Sequence, residues 1–139
     1  MILTDPAGLF DALRALDLPL GHWVVCGSAP LYARGLRSRL HDLDILACGL
    51  AWQRALTIAP PRPAESGLGL AIHHPEAAIE VFDTWPAVDC ADVIDRADLI
   101  DGIPLLTLDD TAHWKATAAR PKDAADVEAI RNLQSRWQG

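Results

Sequence analysis

The stretch VVCGSAPLYARGLRSRLHDLDILA, residues 24–47, decides the fold that this sequence predicts. The apolar run over 22–26 is short, β-branched and bounded by glycines, which indicates a strand that stops at Gly27. Ser28 can then cap a short helix, because its hydroxyl can accept a hydrogen bond from a backbone N–H of the first turn. A polar span follows, and the apolar run over 43–47 indicates a second strand.

Two aspartates, Asp42 and Asp44, stand one residue apart at the start of this second strand. Side chains alternate across a strand, so both acids point to one side while Leu43 and Ile45 point to the other. Neighbouring carboxylates repel each other, and each loses solvation when it is buried. Such a pair either is a solvated strand end, which is common by chance, or surrounds a hard divalent cation such as Mg²⁺.

The Gly-Ser turn before these acids adds a place where a phosphate group can bind. Backbone N–H groups of such a turn, together with a helix N-terminus, attract anions, so a metal site and a phosphate site would face one cleft. A two-metal phosphoryl-transfer site usually needs a further acid on a neighbouring strand. Glu80, between Ile79 and Val81, leaves the core face of an apolar strand and is the preferred third acid, with Asp83 as the reserve.

The composition limits the partners that the chain can bind. The sequence has 139 residues, enough for one domain with a single core, and half of them are apolar. Its formal net charge of −7 argues against general binding of nucleic acid, because such binding depends on Lys and Arg that neutralise phosphates. Arg34, Arg37 and Arg39 form a local exception, and they are either a solvated turn or a phosphate contact.

Other residue patterns bear on location and metal binding. The N-terminal segment has neither a basic leader nor a long apolar run, so we expect a soluble, cytoplasmic protein without a membrane span. Cys26, Cys48 and Cys90 are widely spaced and follow no ligand pattern, so we expect reduced thiols and neither a disulfide framework nor a zinc site. His73 and His74, at a strand end, are expected to be solvated.

The remaining sequence predicts a mixed α/β arrangement in one domain over residues 1–139. Asp5 is a plausible N-cap for an amphipathic opening helix over 6–17, and the Asp-Gly pair at 101–102 is typical of a hairpin turn. The other predicted elements are, in order, helices at 28–34 and 50–58, a strand pair at 68–74 and 79–85, and helices at 108–120 and 122–137. Together they predict a mixed β-sheet flanked by helices and followed by two C-terminal helices.

The order of four segments resembles a known protein family. CGSAPLYAR is followed by HDLDIL, then by a strand acid, and then by WKATAARPKDAADVEAI. This order resembles the nucleotidyltransferase-fold superfamily, which shares the catalytic core of DNA polymerase beta. Within it, the chain is most similar to the small bacterial branch that includes the AbiE-type abortive-infection toxins. The resemblance covers roughly residues 22–130 and implies the nucleotidyltransferase fold.

The resemblance also implies roles for particular residues. The residues implied to act in catalysis and to ligate Mg²⁺ or Mn²⁺ are Asp42, Asp44 and Glu80. The residues implied to bind the nucleotide are Gly27 and Ser28 at its phosphates, Lys115 at its triphosphate, and Arg39, Lys122 and Asp126. Arg120 and Asp123 belong with Lys122 and Asp126 to the closing motif of the family.

The activity implied by the resemblance is the Mg²⁺-dependent transfer of a nucleotidyl group from a nucleoside triphosphate to an acceptor hydroxyl, with release of pyrophosphate. The resemblance does not identify the acceptor, which can be RNA such as tRNA, a partner protein or a small molecule. Ser28 stands where many relatives have a second glycine, and Glu80 stands where an Asp is more usual. We also expect no large additional domain of the kind that many relatives use to hold the acceptor. The alternative is a non-catalytic nucleotide-binding or regulatory module, such as one half of a toxin–antitoxin pair.

The five tryptophans are many for a chain of this length. Most are expected in the core, with the indole N–H finding a partner. Trp85 and Trp114 neighbour the proposed acid strand and the proposed lysine helix, so stacking of either on a nucleobase is the open alternative.

Overall fold

The computed structural model describes residues 2–138, the last two by their backbone alone. These residues form six α-helices and a seven-stranded sheet. The helices are α1 (Pro6–Ala15), α2 (Ala29–Tyr32), α3 (Gly49–Ala55), α4 (Cys90–Arg96), α5 (Leu108–Ala118) and α6 (Ala124–Gln138), with a 3₁₀ turn at Pro121–Asp123 before α6. The strands are β1 (Trp23–Cys26), β2 (Leu43–Ala47), β3 (Arg62–Pro63), β4 (Leu70–His73), β5 (Ile79–Phe82), β6 (Asp98–Ile100) and β7 (Ile103–Leu105).

The sheet is mixed and is flanked by helices, which confirms the predicted class. Its strand order is β3-β4-β5-β2-β1-β7-β6. The central strand β2 pairs antiparallel with β1 and parallel with β5, and β1 pairs parallel with β7. The parallel pairing of β2 and β5 brings the two predicted acid strands side by side.

Local sequence signals account for several element ends. Asp5 caps α1 as predicted, because its carboxylate accepts a 2.8 Å hydrogen bond from the backbone N–H of Gly8. β4 and β5 pair antiparallel, as the predicted strand pair requires. The turn between β6 and β7 is formed by Asp101 and Gly102, with φ of 52° and 78°, the positive values that a tight hairpin favours in this dipeptide.

Other boundaries differ from the prediction. The helix expected at 28–34 ends at Tyr32, and Ser28 makes no capping hydrogen bond with its side chain. The last predicted helix begins with the 3₁₀ turn and becomes α-helical only at Ala124. Strand β3 and helix α4 were not predicted.

Each face of the sheet buries its own apolar cluster. Trp23 and Val25 of β1 face a cluster that includes α1, whereas Val24 and Cys26 face a second cluster that includes α4 and α5. The three cysteines carry free thiols. Within residues 2–138, no helix combines the length and the apolar character needed to span a bilayer.

Candidate functional site

A cleft of about 900 Å³ lies over the sheet face that packs against α4 and α5. Its walls include every site residue predicted from the sequence. These are Gly27, Ser28, Arg39, Asp42, Asp44, Glu80, Lys115, Lys122 and Asp126. Residues from the first strand to the last helix therefore line one cleft.

The acids reach this cleft by strand alternation and register. Leu43 and Ile45 are 1% and 0% exposed on the opposite face, so Asp44 between them must face the cleft. In the parallel pairing of β2 and β5, Asp44 stands beside Glu80. Asp42 lies just before β2 and is exposed. Two acids on adjacent strands and a third near them concentrate negative charge at one edge of the cleft.

This concentration of charge changes the titration of Asp44. Burial, followed by the charges of Asp42 and Glu80, raises the pKa of Asp44 from 3.8 to about 7, while Lys115 and Lys122 act in the opposite direction. A cation beside Asp44 would relieve both the repulsion and the lost solvation. Carboxylate oxygens are the ligands that Mg²⁺ and Mn²⁺ favour, so the donor set fits such an ion chemically.

The third acid has a different neighbour. Nε2 of His73 lies 3.5 Å from Oε2 of Glu80, in the pairing that sets these residues opposite each other on β4 and β5. Among residues 2–138, no group of three or more His, Cys, Asp or Glu side chains is placed to hold a metal ion. The joint ligation of a metal by Asp42, Asp44 and Glu80 stays a prediction.

The reserve acid and the second histidine have structural contacts instead. Oδ1 of Asp83 accepts hydrogen bonds from the backbone N–H of Leu70 at 2.8 Å and from the hydroxyl of Thr84 at 3.0 Å. Nδ1 of His74 accepts from the backbone N–H groups of Glu76 and Ala77 at 3.0 and 3.1 Å. Neither Asp83 nor His74 lines the cleft, and His74 is half-buried in a turn.

Gly27 ties the phosphate-binding turn to Asp44. Its φ of 68° lies in the left-handed region, and a Cβ at this position would lie 2.7 Å from Oδ2 of Asp44. No side chain fits there unless the carboxylate moves. The turn can therefore approach the carboxylate of Asp44 closely only because residue 27 is a glycine.

The three arginines after the turn have separate roles. Arg34 is structural, since it donates to the carbonyl of Pro30 at 2.9 Å and to Asp98 at 2.6 Å. Arg37 donates to Oγ of Ser28 at 2.6 Å, and its Nε lies 3.5 Å from Oδ1 of Asp126. Arg37 thus connects the turn to the last helix. The sequence alone did not distinguish Arg37 from its neighbours Arg34 and Arg39.

The closing motif forms a buried ion network. Lys115 is 3% exposed, and its Nζ lies 3.1 Å from Oδ2 of Asp126 and 3.4 Å from Oδ1 of Asp123. Arg120 donates to both oxygens of Asp123 at 2.7 and 3.0 Å. Burial opposes ionisation of Asp123, yet these hydrogen bonds and the charge of Lys115 hold the pKa of that carboxyl below its ordinary value. The network fixes α5 against α6 at the rim of the cleft.

Comparison of the chain with protein-family models, with curated proteins and with solved structures found no match. A proposal for the function therefore rests on the residues of the cleft.

The cations in the cleft fall into two groups. Lys115 and Arg120 are held by carboxylates of the closing motif. Arg39 and Lys122 are exposed and line the cleft, and neither forms an ion pair within the described part of the chain. The cleft therefore combines two exposed cationic side chains with three acidic ones.

Proposed function

We propose that this chain is a nucleotidyltransferase-fold domain that binds a nucleoside triphosphate with Mg²⁺ or Mn²⁺ and transfers its nucleotidyl group to an acceptor hydroxyl. One observation carries the proposal. The turn at Gly27, the acids Asp44 and Glu80 on adjacent strands, and the cationic residues of the closing motif all line one cleft.

A triphosphate suits the positive part of the cleft. Arg39 and Lys122 provide charge without a competing carboxylate partner in the described residues, and Ser28 provides a hydroxyl beside the guanidinium of Arg37. Helix α2 has only four residues, so its dipole adds little, and the backbone N–H groups of the turn are the better phosphate donors. The chain as a whole has a net charge of −7, so a local group of cations is unusual on its surface.

A divalent cation suits the negative part. Asp42, Asp44 and Glu80 would hold it, since each can turn a carboxylate toward the cleft. Such a cation neutralises charge on phosphate oxygens and lowers the pKa of an attacking hydroxyl. Asp44 is the residue most affected, because burial and the charges of Asp42 and Glu80 raise its pKa.

The reaction follows from these positions. The acceptor hydroxyl would lose its proton to water, and its oxygen would form a bond to the α-phosphorus. The bond from that phosphorus to the bridging oxygen would break, and pyrophosphate would leave with the electron pair. Lys122 and Arg39 would hold the leaving phosphates, and the turn would hold the triphosphate in line with the acids. The chain supplies position and electrostatics, and the step needs no covalent enzyme intermediate.

A second candidate is a module that binds the nucleotide and performs no transfer, such as one half of a toxin–antitoxin pair. One observation favours it. Glu80 lies near His73, and no three acids within residues 2–138 come together as a metal site. In this candidate the cations and the Gly27 turn of the cleft still bind the nucleotide. Glu80 interacts with His73 on the neighbouring strand and does not bind a metal ion.

Label transfer distinguishes the two candidates. The protein is incubated with each α-³²P ribonucleoside triphosphate and Mg²⁺ or Mn²⁺, together with total tRNA, a protein extract or a mixture of small alcohols. The transferase predicts acid-stable label on one acceptor class, lost in Asp42→Asn/Asp44→Asn. Nucleotide binding without label on any class would contradict the transferase and favour the binding module.

A further inference from the structure

Three aromatic side chains form one cluster on the acid face of the sheet. Phe82 and Trp85 pack edge to face with ring centroids 5.2 Å apart, and Trp85 and Trp114 do the same at 5.0 Å. All three line the cleft that contains the acids. Phe82 had no predicted role, although its place two residues after Glu80 on β5 puts both side chains on the same face.

Both indoles of the cluster have an unused hydrogen-bond donor. Among the side chains of residues 2–136, the buried nitrogen and oxygen atoms without a partner are Nε1 of Trp85 and Nε1 of Trp114. By contrast, Nε1 of Trp23 donates to the carbonyl of Leu18 at 3.1 Å. Buried polar groups nearly always find a partner, so two unpaired donors in one cluster distinguish these indoles from ordinary core tryptophans.

The two indoles differ in how far they are buried. Trp114 is 3% exposed, and its ring is covered by Nζ of Lys115 at 4.6 Å and by the guanidinium of Arg120 at 5.4 Å. Trp85 is only half-buried and follows β5 in a loop. Trp114 is therefore a fixed support, and Trp85 is the indole with a surface that a ligand can cover.

The position of the cluster matches the shape of a nucleotide. Glu80 and Phe82 are separated by one repeat of the strand, about 7 Å. Phosphates bound at the Gly27 turn, beside these acids, therefore leave the aromatic cluster within the span of the attached sugar and base. Each base presents a flat π-face that stacks on an aromatic side chain, and a two-ring base covers more of an indole than a one-ring base does.

We propose that the base of the bound nucleotide is a purine that stacks on Trp85, with Phe82 and Trp114 supporting the indole. This inference rests on the proposed function, because it assumes that phosphates bind at the Gly27 turn.

Calorimetric titration with three probes tests the inference: ATP, UTP and tripolyphosphate, each with Mg²⁺. We expect ATP to bind roughly five- to 150-fold more tightly than tripolyphosphate, the range typical of stacking on one aromatic side chain. UTP should bind between the two. Trp85→Ala should abolish the preference for ATP and leave binding of tripolyphosphate unchanged, and Trp85→Phe should reduce the preference.

Trp52→Phe is the matched control, since Trp52 lies on α3 and does not line the cleft. If Trp85→Ala fails to fold, as circular dichroism would reveal, Trp85→Phe carries the test. Equal affinity for ATP and tripolyphosphate, or a preference that survives in both Trp85 variants, would overturn the base site and leave the phosphate site intact. Equal affinity for ATP and UTP would overturn the purine assignment. If no probe binds, the proposed function fails together with this inference.

Discussion

Replacing Asp44 by asparagine should remove most of the pH dependence of stability between pH 4 and pH 8. The pKa of this carboxyl is raised from 3.8 to about 7 by burial and by the charges of Asp42 and Glu80. The unfolded chain therefore loses the Asp44 proton at lower pH than the folded chain does. Raising the pH through this interval favours the unfolded state, so the native protein loses stability from about pH 4 to about pH 7.

The magnitude follows from linkage. A difference of about three pH units between the folded and unfolded pKa of Asp44, at 1.36 kcal/mol per unit, corresponds to about 4 kcal/mol. Within the interval, the free energy of unfolding should fall by about 1.4 kcal/mol per pH unit. The lowered pKa of Asp123 acts below this interval and has the opposite sign, since its stabilisation is lost as pH falls.

Urea unfolding at pH steps from 4 to 8, in buffer containing a metal chelator, measures this effect. We expect Asp44→Asn to gain stability over the native protein as pH rises, by a total of about 4 kcal/mol. Asp95→Asn is the matched control, because Asp95 is exposed on α4 and should leave the slope unchanged. Parallel curves for the native protein and Asp44→Asn would refute the reasoning that Asp44 is desolvated and repelled by its neighbours.

Two further substitutions test the contacts that shape the cleft. Gly27→Ala should cost more stability than Gly35→Ala in urea unfolding, because both have positive φ but only Gly27 would place a Cβ against Asp44. The shared backbone strain is about 1–2 kcal/mol, the added contact about 1–3 kcal/mol, and equal losses would contradict the close approach. Lys115→Met should cost roughly 3–5 kcal/mol by leaving buried carboxylates short of a partner, whereas the exposed Lys122→Met should change thermal stability little. Similar losses for the two lysine variants would contradict the buried network.

The strands that carry the site could be predicted because their signals are local. Gly27 ends β1, the alternation of Leu43, Asp44 and Ile45 sets the faces of β2, and an acid between two apolar residues marks Glu80 on β5. Each of these signals lies within a few residues and has the period of a strand. The meeting of the strands at one cleft then follows from the sheet.

The unpredicted elements lack such signals. Helix α4 buries only Val93 and Ile94, which are adjacent and show no helical spacing, although Asp89 caps it and could have indicated its start. Strand β3 has two exposed residues, and Pro63 removes a backbone donor. Helix α4 therefore shows no amphipathic period, and strand β3 shows no alternation of apolar and polar residues.

The ion network of the site depends on contacts between distant parts of the chain. The sequence places Arg37 in a basic turn and Asp126 in a helix, and nothing local joins them. Likewise, the burial of Lys115 at 3% exposure is set by the packing of α5 against α6. The sequence motifs predict that Lys115 and Asp126 belong to the site. The ion-pair partners of these residues depend on the tertiary structure.

The central claim is that the cleft binds a nucleoside triphosphate with a divalent cation. The most direct measurement is the melting temperature with each of the four ribonucleoside triphosphates, with and without Mg²⁺ or Mn²⁺, for the native protein and for Asp42→Asn/Asp44→Asn. A ligand at 100 times its dissociation constant adds about 2.7 kcal/mol, which raises the melting temperature of a domain of this size by roughly 8 °C. The account predicts a metal-dependent rise of this order with at least one triphosphate, lost in the double variant when each protein is compared with its own unliganded value. No rise with any triphosphate, or a rise that persists unchanged in the double variant, would contradict it.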